Sequence, residues 1–204
     1  AGGLANTQSG AVTITDTTGT IAATTFTDIT AQTTGAVGMA SGGPTIQGTT
    51  AEITAALVTG GTRITAAATK VDFTDNPTAA QLSAINAKTT GNITLHDDSQ
   101  TFSGTASDLS GAFSGGLQNT QTGAVTITDT SGTIAATTLS GIGSATDGVV
   151  TAASGGITIS GTAAEVTDAL VTTGSLVVAG SADVTITDTG SVAATVLSAI
   201  GAKT

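Results

Sequence analysis

Side chains able to do chemistry are few in this chain. The single histidine, His96, lies in Leu95-His96-Asp97-Asp98-Ser99, and four aspartates, Asp16, Asp75, Asp129 and Asp188, recur at the end of a V-x-[IF]-T-D run. A histidine beside serine and aspartate invites a nucleophilic triad, in which the imidazole takes the serine proton and a carboxylate orients the ring. Triad members are assembled by the fold rather than by adjacency, and no nucleophile elbow or oxyanion loop accompanies this one. The equivalent stretches Met39-Ala40-Ser41-Gly42-Gly43 and Ala152-Ala153-Ser154-Gly155-Gly156 hold neither His nor Asp. A polar turn between strands accounts for all three, and no catalytic residue is expected.

Carboxylates also invite Ca²⁺, which takes about six to eight oxygen ligands. The four recurring aspartates sit two coils apart, so at roughly 4.8 Å per coil their Cα atoms would be nearly 10 Å apart. One ion does not bridge that distance readily. The G-G-x-G-x-D nonapeptide of calcium β-rolls is absent. Aspartate also suits a turn, where it accepts from the backbone two residues on. Asp97 and Asp98, with Asp75, are the remaining metal candidates, and Ca²⁺ is the ion they would suit. The glycine segments match neither phosphate-cradling form, so no nucleotide cofactor is expected.

Composition narrows the class further. The formal charge is −10, and Arg63, Lys70, Lys88 and Lys203 are the only strong cations among 204 residues. A nucleic-acid binder needs a cationic stripe to neutralise phosphates, and none exists here. No apolar run reaches the length of a membrane-spanning helix. Without cysteine there is neither a disulfide nor thiol chemistry. Trp and Tyr are absent and Phe occurs four times, so the core must be thin and aliphatic. A solenoid suits such a core, because each coil buries its apolar residues against its neighbours.

Internal repetition supports that class. Ala124–Gly148, AVTITDTSGTIAATTLSGIGSATDG, is a near-copy of Ala11–Gly35. Aligning the first short strand of each unit gives Val12, Val37, Val71, Ile93, Val125, Val150 and Val184, with short and long spacings in alternation. This predicts about seven coils in alternating short and long pairs, with pairs starting near 12, 71, 125 and 184. The expected fold is a parallel β-solenoid with a short helix in each coil, a mixed α/β array running over residues 1–204.

Apolar spacing places the helices. Phe26/Ile29, Leu82/Ile85, Leu139/Ile142 and Leu197/Ile200 are spaced i,i+3, and Ile53/Leu57, Leu109/Phe113 and Val166/Leu170 are spaced i,i+4. Both spacings put two side chains on one helix face. Thr49-x-x-Glu52, Thr105-x-x-Asp108, Thr162-x-x-Glu165 and Thr78-x-x-Gln81 stand before those pairs as N-terminal caps. Gly35, Gly60, Gly91, Gly148 and Gly174 follow the helices, where a left-handed stop is expected. Strands are expected at the V-T-I-T-D runs, with Val and Ile inward and Thr outward, and again at Thr45–Gln47, Thr101–Ser103 and Thr158–Ser160.

The unit V-T-I-T-D-T-x-G-x-[IV]-A-A-T-x-L-S-x-I-x-A-K-T, joined to G-T-A-A-E-[IV]-T-x-A-L, resembles the Thr/Ala-rich tandem repeats of very large marine cyanobacterial secreted or cell-surface proteins. The resemblance implies an extracellular repeat region with no catalytic residue to carry over. The expected function is a structural part of a secreted or cell-surface rod or filament, self-associating end to end. The alternative is a calcium-dependent adhesin or a carbohydrate-binding fibre module with a cell-surface partner. The T-x-T pairs at Thr13/Thr15, Thr126/Thr128 and Thr185/Thr187 also resemble an ice-binding ladder, although Asp72 breaks one copy. Ala1–Ala11 matches Ser114–Ala124 and Ile200–Thr204 matches Ile85–Thr89, so both ends fall inside a coil pair. A fragment of a longer array, or a polymerising unit, is the expectation from that phase.

Overall fold

Short apolar pairs separated by Thr, Ala and Gly cannot hold long elements, and the computed structural model contains only short ones. It describes residues 7–39, 43–59, 64–65, 68–152 and 155–204. The match at residues 1–6, the stop at Gly60, Arg63 and the centres of the two His96-equivalent stretches lie outside the described residues. In chain order the elements are β1 (Val12–Ile14), β2 (Thr20–Ala22), α1 (Ala23–Gln32), β3 (Val37–Met39), β4 (Thr45–Gly48), α2 (Thr50–Leu57) and β5 (Ile64–Thr65). They continue with β6 (Val71–Phe73), α3 (Ala79–Asn86), β7 (Ile93–Thr94), β8 (Phe102–Gly104), α4 (Ala106–Phe113) and β9 (Val125–Ile127). The remainder are β10 (Gly132–Ala135), α5 (Ala136–Ser144), β11 (Val150–Ala152), β12 (Ile157–Gly161), α6 (Ala163–Leu170), β13 (Val177–Val178), β14 (Asp183–Ile186) and α7 (Ala194–Gly201).

Helices therefore form at all seven spaced apolar pairs. At about two turns each they would not persist alone in water, and burial of one face holds them. Phe26, Ile53, Leu82, Leu109, Leu139 and Val166 are all fully buried. The chain forms alternating α/β repeats whose strands pair in parallel and whose sheets remain open.

Two compact units result. The first comprises Ala1–Pro77, Gln81–Asp97 and Gly115–Asn119; the second comprises Thr78–Ala80, Asp98–Ser114 and Thr120–Thr204. Unit 1 holds the sheets β1-β3-β5 and β2-β4-β6-β7. Unit 2 holds β13-β11-β9-β8 and β10-β12-β14, together with an edge-to-face pair of Phe102 and Phe113 at 5.4 Å.

Register corrects the phase expected from sequence. Val71 does not lie in the ladder of Val12 and Val37; it pairs with Ile46, which pairs with Ile21. Val184 likewise pairs with Ile159, which pairs with Ile134. These four steps are equal in length, whereas Val37↔Ile64 is slightly longer and Val71↔Ile93 slightly shorter. The alternation of short and long coils arose from aligning V-T-I-T-D copies that occupy two different ladders. Strands β2 and β10, inside the Ala/Thr runs, were not expected.

A small motif explains the near-constant step. Thr33, Thr89 and Thr146 are buried, and each hydroxyl accepts the N–H of a glycine two residues on, at 2.9 Å, while donating to a carbonyl of the preceding repeat. Gln121 fills the same place through its side-chain amide, which donates to the Gln100 carbonyl. The glycines of this T-x-G or Q-x-G motif press against main chain: a Cβ at Gly35, Gly91, Gly123 or Gly148 would overlap the backbone of Gly10, Thr69, Gln100 or Gly123. These glycines serve close approach rather than a left-handed stop, and of the expected stops among the described residues only Gly174 has a positive φ, 99°.

Gly148→Ala should therefore cost about 1–3 kcal/mol, since the overlapping atoms are backbone and cannot swing away. Gly141→Ala, in the middle of α5 with nothing near its missing Cβ, should instead gain about 0.5–1 kcal/mol. Urea unfolding of the two variants checks the contrast.

Candidate functional site

The recurring aspartates are brought to one place in each repeat. A strand pairs in parallel with the strand that immediately precedes a helix in the previous repeat, so the residues after it arrive at that helix's first turn. Asp75, after β6, accepts from the backbone N–H and the hydroxyl of Thr50, both at 2.6 Å. Asp129, after β9, accepts from the N–H of Ala106 at 2.7 Å, and Asp188, after β14, accepts from the N–H of Ala163 at 2.6 Å. Thr50, Ala106 and Ala163 are the first residues of α2, α4 and α6. Each carboxylate thus binds a free N–H at the positive end of a helix in the repeat before its own. The turn former expected from sequence is a cap between repeats. Asp16, the fourth member, is exposed, and no described helix precedes it.

The same helices are also capped from within. Thr49 accepts from the Glu52 N–H while Glu52 accepts from the Thr49 N–H, at 3.3 and 2.8 Å; Thr162 and Glu165 repeat this box with the same distances. Thr105 accepts from the Asp108 N–H at 3.1 Å. The glycine before each threonine is needed too. A Cβ at Gly48, Gly104 or Gly161 would stand 3.0 Å from the Cβ of Ala23, Ala79 or Ala136. Those alanines are the first residues of α1, α3 and α5, so the G-T pair lets a strand end sit tightly on a neighbouring helix start. Side-chain links between strands complete the joints, from Gln47 to Asp72 at 2.6 Å and from Asn92 to Gln118 at 2.8 Å.

The metal candidates do not converge. Asp75 is engaged at the start of α2. Asp97 and Asp98 are half-buried in the turn between β7 and β8, beside exposed His96, and the Asp98 carbonyl accepts from the N–H and hydroxyl of Thr122. Among the described residues no group of three His, Asp or Glu side chains could hold a metal ion. The Thr surface is also irregular. Thr126 lies between Ser103 and Thr151, and Thr13 lies beside Gly38.

Open grooves recur at equivalent positions of unit 2. One of about 340 Å³ is lined by Ala106, Ser110, Asp129 and Thr138, and one of about 420 Å³ by Ala163, Thr167, Asp188 and Val196. Both lie over the capped helix starts, and the lining carboxylate of each is the one bound to a helix N–H. An apolar groove of about 350 Å³ lies in unit 1 beside Val12, Ile29 and Thr33. No described helix is long and apolar enough to cross a membrane. The chain matches no family model, none of the curated proteins compared with it and no solved structure.

If the carboxylates act as caps between repeats, Asp129→Ala and Asp188→Ala should each destabilise unit 2 by about 1–2 kcal/mol. Asp16→Ala should change stability little. Thermal melts of the three single variants provide the comparison.

Proposed function

We propose that the chain is a non-enzymatic structural repeat region, a solenoid belonging to a secreted or cell-surface rod or filament. The observation that carries this reading is the use made of the polar side chains. Asp75, Asp129 and Asp188 bind helix starts of the preceding repeat, and Thr33, Thr89 and Thr146 bind its carbonyls. Three of the four recurring carboxylates are thus spent on joining one repeat to the next. Parallel ladders at a near-constant step extend without limit in the direction of stacking, which is the property a rod needs. Outward Thr and a charge of −10 keep such a surface hydrated and mutually repulsive. End-to-end self-association belongs to the same reading, because an open parallel edge accepts another strand.

Two measurements test it. Electron microscopy of the protein in its native material should show rods or filaments with an axial spacing of about 4.8 Å or a multiple of it. Discrete globular particles without axial order would count against the reading. The melting temperature should be the same with Ca²⁺ and with EDTA, whereas a fall on chelation would favour the calcium-dependent adhesin.

A further inference from the structure

The joints between repeats differ at their middle residue. Thr34 and Thr90 hold that place in two T-x-G motifs, and Thr122 holds it in the Q-x-G motif. The joint of Thr146 and Gly148, inside unit 2, carries Asp147 instead. This makes the only Asp-Gly step in the chain, and no Asn-Gly step occurs. Asp-Gly is the step at which a carboxyl side chain and the next main-chain nitrogen condense most readily, because glycine puts no Cβ in the way. Asp147 is exposed, while Thr146 and Gly148 on either side of it are buried.

The fold holds the nitrogen of this step from several directions. The Gly148 N–H donates to the Thr146 hydroxyl at 2.9 Å, and that hydroxyl donates to the Gln121 carbonyl at 2.8 Å. The same carbonyl accepts from the Asp147 N–H at 2.8 Å. Gly148 itself presses on the main chain of Gly123, where a Cβ would overlap it. Condensation requires the nitrogen to give up its proton and to turn, with its peptide plane, towards the Asp147 carboxyl carbon. An amide fixed on both sides and hydrogen-bonded in this way is free to do so only when the joint opens locally.

We propose that Asp147-Gly148 is a site of spontaneous isoaspartate formation gated by the Thr146 joint, protected while the joint is closed and converted once it opens. In the open joint the Gly148 nitrogen attacks Cγ of the protonated Asp147 carboxyl. The N–Cγ bond forms, the Cγ–OH bond breaks, and the hydroxyl leaves as water with the proton from nitrogen. The succinimide ring then takes water back. Addition at its main-chain carbonyl leaves the chain running through Cγ, one atom longer, with the former main-chain carbonyl as a free carboxylate. Overall nothing is gained or lost, and no oxidant, metal or enzyme is needed. The lengthened segment lies where Gly148 meets Gly123 without room for a Cβ, and two residues before Val150 enters its ladder opposite Val125. A converted joint therefore cannot close in its former register. Joints with threonine at the middle place open and close reversibly, whereas this one records its opening. The proposal needs only the joint and does not depend on the rod reading.

Peptide mapping of the aged intact chain tests this, using an endoprotease that cuts before aspartate but not before isoaspartate. Conversion at Asp147 should be at least about tenfold slower in native buffer than in concentrated urea, since only the open fraction reacts. Thr146→Val removes the acceptor of the Gly148 N–H and should speed conversion in native buffer about tenfold, the effect of one lost hydrogen bond. Thr146→Ser should restore the protection. Ser131→Asp keeps the test decisive if the valine variant fails to fold. It places a second Asp-Gly step before Gly132, which is exposed, has a φ of 93° and has nothing near its missing Cβ. In that one folded molecule position 131 should convert at close to its rate in urea while Asp147 stays intact. Equal rates at the two positions in native buffer, or no conversion of Asp147 in urea, overturns the proposal. Chains converted in urea and returned to native buffer should show fast amide exchange at Val150 and Thr151. Full protection there would overturn the one-way character of the joint.

Discussion

Successive repeats approach so closely at the T-x-G and Q-x-G positions that there is no room for a Cβ between their main chains, and the remaining geometry follows from that approach. Backbone at such a contact is out of reach of water, so its polar groups must be matched across the joint. The Thr33, Thr89 and Thr146 hydroxyls do this by accepting a glycine N–H and donating to the repeat before. Once the joint is formed, the length of chain around one repeat is confined. Hence the ladder steps stay nearly equal although the intervening loops differ in sequence. A thin aliphatic core suffices because each side chain has only the next layer to meet.

The same constraint settles the role of the acidic residues. A strand in register with its neighbour delivers the following aspartate to the first turn of the neighbour's helix, where an N–H lacks an intrahelical partner. The helix dipole and the internal Thr–Glu boxes act at the same end, so the short helices are fixed where they are weakest. A carboxylate held in this way by Thr50, Ala106 or Ala163 has an oxygen committed to the backbone. The grooves that open above Asp129 and Asp188 are a by-product of stacking small residues, Ala and Ser, over these caps.

Local features were legible in the sequence and partner choice was not. Every i,i+3 and i,i+4 apolar pair marks a helix, and the threonine boxes at Thr49 and Thr162 form as spacing predicts, because both depend on residues within one turn. The inward Val and outward Thr of β9 follow from alternation alone. Strand pairing depends on residues a whole repeat apart, and there similarity misleads. Val12 and Val71 sit in the same motif but in different ladders, since the pairing of β6 is governed by β4 in the preceding repeat. The runs containing β2 and β10 read as Ala/Thr segments, because their strand character comes from the neighbours β4 and β12 rather than from propensity. Gly35, Gly91 and Gly148 were recognisable as necessary, yet their cause, contact with a backbone one repeat away, lies outside any local window. Asp75 shows the limit most plainly. Its recurrence was visible, whereas its partner Thr50 belongs to the repeat before.

A V-T-I-type strand meets different neighbours in different repeats. Beyond β6 lies Ile93-Thr94, beyond β9 lies Val150-Thr151 and beyond β1 lies Val37-Gly38. What these partners share is a β-branched residue opposite the strand's valine, and little else. The main-chain ladder supplies attraction without regard to side chains, and the valine position sets register, because a slip by one residue would turn Thr into the core. An edge of this kind accepts any strand with the right alternation but only in one register. A second contact accompanies the ladder, the helix that follows one strand and the aspartate that follows the other. At β6, β9 and β14 that carboxylate reaches its N–H only when the ladder is in step, so the cap reinforces the register that the valine sets.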